Sequence, residues 1–350
     1  MNTKILSIII PSYNMQEYLH RSVKSLLDKE IIQEIEIIIV NDGSTDKTLE
    51  IAQSYQEQYP QSVLVINKKN GHYGSAVNAG INKASGKYLK VLDADDWFNT
   101  EEFVRFVKAL HTIESVDVVF TRWCLNNVYA HTKIQSEEYI NPLNQKLDIN
   151  KIKTDSRLSF FSFFSLYAIT YRTQLLREIN YKQSEGICYT DVEYIYYPLL
   201  SASTVTFLNY NVYQYFVGRE GQSINPAILK KNIRHHYAIY KRMIEDYTEP
   251  QSEIKRIFQV TAFVKISESL YFSFLLSNSP KERKDLNLKE LDKRIKSKSP
   301  LIYEEIGKLQ YHKLPYISLW RKWGWNFHVV YLIINQLKKI IHYKNSTNNL

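Results

Sequence analysis

Three short polar clusters in the first hundred residues carry side chains that could do chemistry: Pro11-Ser12-Tyr13-Asn14, Asn41-Asp42-Gly43-Ser44 and Asp93-Ala94-Asp95-Asp96. The third is the sharpest, with three carboxylates in four residues followed directly by Trp97 and Phe98. Carboxylates held this close repel one another, and a cation relieves the repulsion. All-oxygen donors suit a hard divalent ion, Mg2+ or Mn2+, and a metal with so few protein ligands keeps positions for a diphosphate. Each cluster taken alone is also an ordinary turn, because Asn, Asp, Ser and Gly are turn formers. Other chemistries lack their residues. No GxGxxG follows the first apolar run and no GxxxxGK[ST] occurs, which leaves a nicotinamide cofactor and a P-loop nucleotide unsupported. The two cysteines, Cys124 and Cys188, are far apart and outside any CxxC. They provide neither a disulfide scaffold nor a thiolate zinc site, and they fit a reducing compartment. His235 and His236 adjoin on a helical stretch and so point to different faces.

These clusters must be held by the elements that precede them. Leu6 to Ile10 is a nearly continuous β-branched run, the pattern of a strand buried on both faces, and Ile35 to Val40 is a second. Val63 to Ile66 and Tyr88 to Leu92 read as the third and fourth strands. Helical stretches lie between them. The first is entered at Asn14 as N-cap, with Glu17 as its capping-box partner and Leu19, Val23, Leu26 and Leu27 on one face. Others run from Thr45 to Tyr59 and from Ser75 to Ala84. This alternation means right-handed βαβ units and a parallel sheet with both faces covered. Ligands of such sheets sit beyond the carboxyl ends of the strands, where all three clusters fall. Glu101 to Leu110 then reads as a helix, Val116 to Phe120 as a strand, 123–160 as irregular or short antiparallel structure, and Tyr210 to Phe216 as a strand. From Ala227 onward helices are expected over 227–247, 252–277, 282–296 and, interrupted by Gly324, 317–341. The expected fold class is α/β: a doubly wound, mostly parallel sheet in residues 1–225, with a helical C-terminal region in residues 226–350.

The clusters and their order resemble the family 2 glycosyltransferases of GT-A fold. The resemblance is carried by Ser7 to Asn14 (SIIIPSYN), Val40 to Asp46 (VNDGSTD), Asn70 to Gly80 (NGHYGSAVNAG) and Leu92 to Trp97 (LDADDW). It is strong over residues 5–125 and weaker to about 225. It implies a UDP-sugar donor, with Pro11 and Tyr13 bordering the nucleobase and Asp42 accepting the uracil N3–H. Asn78 would line the nucleotide, or else stand on a helix surface. Asp93 and Ala94 would face the ribose and sugar, and Asp95 would hold the metal that neutralises charge on the leaving UDP. Inverting transfer also needs a base for the acceptor hydroxyl. Glu185 to Glu193 (EGICYTDVE) is similar to the family's base segment, which makes Asp191 the expected base, Glu193 the fallback, and a plain helix cap the alternative for Asp191. One departure stands out: Thr190 occupies the place before the aspartate where the family often has glutamate. Tyr213 to Ile224 resembles the loop that closes over the donor, and it would bring Arg219 and Ser223 to the diphosphate oxygens.

Charge is distributed unevenly along the 350 residues. The net +9 comes from 45 Lys and Arg against 36 Asp and Glu, and no acid follows Glu305. The last 39 residues hold Lys313, Arg321, Lys322, Lys338, Lys339 and Lys344, with Trp320, Trp323, Trp325 and a segment from Phe327 to Ile341 rich in aliphatic and aromatic residues. Such a segment suits an amphipathic helix on an anionic membrane surface. The alternative is packing on the catalytic domain or on a second copy in a homo-oligomer. Nucleic acid is not an expected partner, because no recognition motif accompanies the charge. With no 18-residue apolar run and no leader-like N-terminus, the expected location is the cytoplasm, with the tail on the inner face of the cell membrane. The resemblance therefore implies an inverting, metal-dependent glycosyltransferase that passes a sugar from a UDP-sugar to a hydroxyl of a cell-surface glycan, teichoic acid or lipid-linked acceptor. The competing reading is a non-catalytic subunit of the same fold in a glycan-synthesis complex. A nucleotidyltransferase would need a Gly-rich, basic loop after the first strand, and Pro11-Ser12-Tyr13-Asn14 is not one.

Overall fold

The computed structural model describes residues 4–127, 129–153, 165–219, 222, 226–333 and 336. It divides into two units, Met1–Glu220 with Ser252–Phe258, and Gly221–Gln251 with Gln259–Leu350. The first is built on a ten-stranded sheet: β1 (Leu6–Ser12), β2 (Ile35–Asp42), β3 (Val63–Lys68), β4 (Tyr88–Val91), β5 (Trp97–Phe98), β6 (Val118–Asn127), β7 (Thr132–Gln135), β8 (Leu147–Asp148), β9 (Ile169–Arg172) and β10 (Thr204–Val217). The order is β3-β2-β1-β4-β9-β6-β10-β5, with β7 beside β6 and β8 beside β10. Helices α1 (Leu19–Lys24), α2 (Thr48–Gln58), α3 (His72–Lys83), α4 (Thr100–Thr112), α5 (Thr173–Glu178) and α6 (Asp191–Ser201) accompany it.

The β-branched runs become central strands because they bury both faces. All seven residues of β1 are buried. Ile8 and Ile10 join Ile37 and Ile39 of β2 in one core, and Ile9 joins Ile38 and Val40 in the other. β1 to β4 are mutually parallel, with β2 and β3 on one side of β1 and β4 on the other. That reversal is a topological switch point, and it opens a crevice at the carboxyl ends of β1 and β4. Tyr13, Asp42 and Asp93 all leave the sheet at this edge. Beyond β4 the sheet turns mixed: β9 is antiparallel to both β4 and β6, and β10 is parallel to β6. β10 is longer than the alternation at 210–216 shows. It runs for 14 residues with a bulge between Leu208 and Tyr213, and its far end pairs with β5, Gln214 opposite Trp97. This pairing brings residues 213–219 beside the 93–98 loop.

Several expectations need correction. Asn14 does not cap α1, whose N-cap is Tyr18. It adopts a left-handed conformation (φ 53°), donates its N–H to Ser44 Oγ (3.0 Å) and accepts from Thr45 N–H (2.9 Å), so it stitches the first polar loop to the second. Within 123–160 the chain is more regular than the pattern suggests, because β6 continues to Asn127 and pairs with β7 as a hairpin. Residues 154–160 lie outside the described set.

The second unit is helical. The stretch expected as 227–247 is two helices, α7 (Pro226–Lys231) and α8 (Ile233–Glu245). α9 (Glu253–Phe272) continues as a π-helical turn over Ser273–Ser277. Together they form the one described helix long and apolar enough to cross a membrane, at mean hydropathy 1.2, and 56% of its apolar window is buried inside the protein. α10 (Leu288–Lys298), α11 (Pro300–Gly307) and α12 (Tyr316–Trp323) follow, and residues 328–333 are helical again. Arg321 ties α12 down by pairing with Asp292 at 2.6 Å and donating to Tyr303 O at 2.7 Å.

Candidate active site

The second polar cluster is organised around Asp42, which is buried at the end of β2. Its Oδ1 accepts from Lys68 Nζ at 2.7 Å and from Gly71 N–H at 3.0 Å, so one carboxylate joins the ends of β2 and β3 to the start of α3. Gly43 makes this approach possible. It has φ +74°, and a Cβ there would lie 2.8 Å from Asn70 N. Pro11 is buried opposite Val40, and Tyr13 is half exposed at the crevice rim.

At the second position of α3, the Tyr73 hydroxyl donates to Asp93 Oδ1 at 2.9 Å, which links the second cluster to the third. The three aspartates of that cluster divide their work. Asp96 is buried and fully engaged: Tyr213 OH donates to Oδ2 at 2.6 Å and Phe216 N–H to Oδ1 at 2.7 Å. Tyr213 also accepts Asp93 N–H at 3.1 Å, so the bulged end of β10 clamps the loop. Asp95 Oδ2 accepts from Arg219 Nε at 2.7 Å. Ala94 turns its methyl into the core with Leu92 and Phe98, which leaves only its backbone to a ligand. Burial, then the neighbouring Asp95, pushes the Asp93 carboxyl up to about 7 and drives Asp96 well above the carboxylate range.

Asp191 is the first residue of α6, half-buried at the helix N-terminus, where the helix dipole favours a negative charge. Its charge acts on both Tyr73 and Asp93. Asp191 is not the cap. Thr190 is the N-cap residue, with its hydroxyl turned to Gln183 Oε1 at 3.0 Å. Glu193 does not serve as a fallback base either. It is fully buried, and its two oxygens accept from Ser184 N–H (2.6 Å) and Ser184 Oγ (2.7 Å). The same 183–186 segment is pinned to α3. Asn78 Oδ1 accepts from Gln183 N–H (2.9 Å), its Nδ2 donates to Gln183 O and Glu185 Oε1 (3.0 Å each), and Gly186 N–H donates to Gly71 O (2.8 Å). Asn78 is thus neither a surface residue nor a side chain with its amide turned to the crevice. Cys188 acquires a neighbour that the sequence does not reveal, His72 Nδ1 at 3.5 Å, while burial pushes the thiol up and keeps it protonated.

Asp95, Arg219, Asp191 and Tyr73 therefore all act on Asp93, and Asp42 is hydrogen-bonded to Gly71, two residues before Tyr73. Ser223 lies outside the described residues. Three contributors carry no sequence signal of their own. Tyr73 and Tyr213 act through hydroxyls 20 and 117 residues from their aspartates. Arg21 on α1 donates to Asp95 O at 2.6 Å, with its guanidinium over the Trp97 ring (4.2 Å) and the Phe216 ring (4.7 Å). Among the described residues no group of three His, Cys, Asp or Glu is arranged to hold a metal. The donor chemistry still fits a divalent ion shared with a phosphorylated ligand. No described group bonds Asp95 Oδ1 or Asp93 Oδ2, and a hard ion of this kind needs only one or two carboxylates beside phosphate oxygens.

The family model described as Glycosyl transferase family 2 matches residues 7–178. The chain is 27% identical over 187 residues to an uncharacterized glycosyltransferase, EpsJ, of Bacillus subtilis, which covers 53% of each protein. It is 38% identical over 91 residues to the minor teichoic acid biosynthesis protein GgaB of the same organism, 26% of this chain and 10% of that one. A match to an uncharacterized glycosyltransferase of Nostoc sp. spans 35% of that protein's length, so the chain corresponds to about half or less of these relatives. In structure it resembles residues 1–349 of S. aureus TarS in complex with UDP-GlcNAc, with TM-score 0.59 and 18% identity over 87% of this chain and 84% of that one. The fold is GT-A.

Proposed function

We propose, for a chain that belongs to glycosyl transferase family 2 through residues 7–178, that it transfers a sugar from a UDP-sugar to an acceptor hydroxyl with inversion at the anomeric carbon. The observation that carries this reading is the convergence of Asp95, Asp191 and Tyr73 on Asp93, beside the Asp42 loop at the switch point of the sheet. The complex of TarS with UDP-GlcNAc, a protein of the same fold, supports a uridine donor. Asp42, held by Lys68 and Gly71, accepts the uracil N3–H, with Pro11 and Tyr13 bordering the base. Asp93 and the Ala94 backbone face the ribose and sugar, and Arg219 and Ser223 serve the diphosphate.

Asp191 takes the proton of the acceptor hydroxyl while that oxygen attacks the anomeric carbon from the face opposite UDP. The bond from the anomeric carbon to the phosphate oxygen breaks as the new one forms, and its electron pair leaves with UDP. Asp95 would hold Mg2+ or Mn2+ together with the diphosphate, and the ion would neutralise charge on the leaving group. Arg21 and Tyr213 keep the aspartate loop in place while charge shifts. The names of matched relatives, a teichoic acid biosynthesis protein and a chondroitin synthase, support a cell-surface glycan, teichoic acid or lipid-linked acceptor. The free thiols Cys124 and Cys188 support a reducing, cytoplasmic setting.

The test is UDP release from a panel of UDP-sugars with Mn2+, Mg2+ or EDTA. Wild type should hydrolyse one donor slowly in a metal-dependent way, and Asp191→Asn and Asp95→Asn should each lose about 100-fold or more. If calorimetry detects no binding of any UDP-sugar, the donor assignment falls and the non-catalytic reading replaces it.

A further inference from the structure

The second unit carries a concentrated apolar surface. Eleven large hydrophobic side chains are exposed among the described residues, and six of them fall within 323–333: Trp323 and Trp325 near 50%, and Val329, Val330, Leu332 and Ile333 at 41–66%. Single exposed apolar residues are ordinary, whereas a contiguous cluster marks an interaction surface. Local chemistry builds this one. Gly324 closes α12 in the left-handed conformation (φ 71°), with its N–H on Trp320 O at 2.7 Å. The turn folds Trp325 back onto Trp323, with ring centroids 4.6 Å apart. Phe327 is buried and donates its N–H to Leu275 O, and one turn later Tyr331 meets the rings of Phe272 and Tyr311 at 5.5 and 5.9 Å. With Phe327 and Tyr331 facing inward, the outward arc of helix 328–333 is Val329, Val330, Leu332 and Ile333. His328 also turns inward, its Nδ1 2.7 Å from Leu276 O, so the outward arc is apolar throughout, and such an arc belongs against a core or lipid.

Charge selects the occupant. No acid follows Glu305, and Lys313 and Lys322 are exposed, with Lys322 Nζ 4.5 Å from the Trp323 ring centroid. Lys338, Lys339 and Lys344 follow in sequence. Arg321 does not add to this face, because it is spent on Asp292. Two copies meeting through the face would set cations against cations, whereas anionic headgroups complement them, and Trp rings are at home at headgroup depth. We infer that residues 323–333 form an interfacial anchor that lies on an anionic bilayer without spanning it. The anchor is independent of the sugar-transfer reading.

The full chain is sedimented with vesicles of phosphatidylcholine, pure or mixed with phosphatidylglycerol. Partition onto the mixed vesicles should be stronger by about tenfold or more and should weaken as salt screens the lysines. Val329→Asp/Ile333→Asp should abolish it, and Trp323→Ala/Trp325→Ala, a second variant at exposed positions, should reduce it at least about fivefold with the wild-type melting temperature kept. No sedimentation with either vesicle, or equal sedimentation with both, overturns the anchor. So does a concentration-dependent dimer that the same variants break while vesicles go unbound, since the face then belongs to a second copy.

Discussion

Lys90 shows how far a single residue can depart from its usual chemistry in this fold. It lies on β4 three positions before Asp93 and is fully buried, with its ammonium donating to Tyr167 O (2.9 Å) and Ile169 O (3.1 Å). Burial lowers its pKa from 10.5 to about 7. Between those values the unfolded chain holds a proton that the folded chain has released, so stability rises as pH rises from 7 toward 10.5 and is lost as pH falls toward 7. The slope is at most about 1.4 kcal/mol per pH unit. Lys90→Met keeps the straight stem and removes the titration. Urea midpoints at pH 6, 7.5 and 9 should show wild type gaining on the variant across the upper interval, and a constant difference would refute the burial argument. The same contrast explains what the sequence reveals at this scale. Asp42, Asp95 and Asp191 are legible because three or four neighbouring residues mark their loops. Lys90 in the run YLKVL, Tyr73 and Arg21 are not legible, because their roles depend on partners 20 to 79 residues away.

At the scale of elements, the segment 183–191 depends on α3 for its position. Gly74 packs so closely that a Cβ would lie 2.1 Å from Ser184 O, and Asn78 spends both ends of its amide on Gln183 and Glu185. Asp191 opens the helix that follows. These bonds place Asn78 to position that segment, which predicts a testable split between binding and turnover. Asn78→Ala should cost about 1–3 kcal/mol of stability, because it strands two buried backbone groups, and should slow turnover while donor affinity stays within about twofold. Loss of donor affinity at an unchanged melting temperature would instead place Asn78 against the nucleotide. β1 to β4 and α2 to α4 are readable from hydrophobic period because neighbours in sequence pair or pack. β9 and the full length of β10 are not, since β9 inserts antiparallel between β4 and β6 and β10 is carried past its alternating core by a bulge.

Across the whole molecule the titrating groups sit in different units and act in different pH windows. Lys90 belongs to the first unit. His236 belongs to the second, buried on α8, where burial and then the neighbouring His235 lower its pKa from 6.5 to about 4. The folded state refuses a proton that the unfolded state accepts between those values, so the second unit should lose stability as pH falls from 6.5 to 4. The loss is on the order of 3 kcal/mol once complete. It should be local in origin. Hydrogen exchange of peptides spanning Ile233–Glu245, corrected for intrinsic rates, should speed up as pH drops from 6.5 to 4.5, and peptides of β1 and β2 should change less. His236→Gln cannot take up the proton and should remove most of the acid sensitivity from the same peptides. If the helix exchanges with the same acid dependence in that variant, the driving protonation lies elsewhere, and burial of His236 is not what limits the second unit in acid.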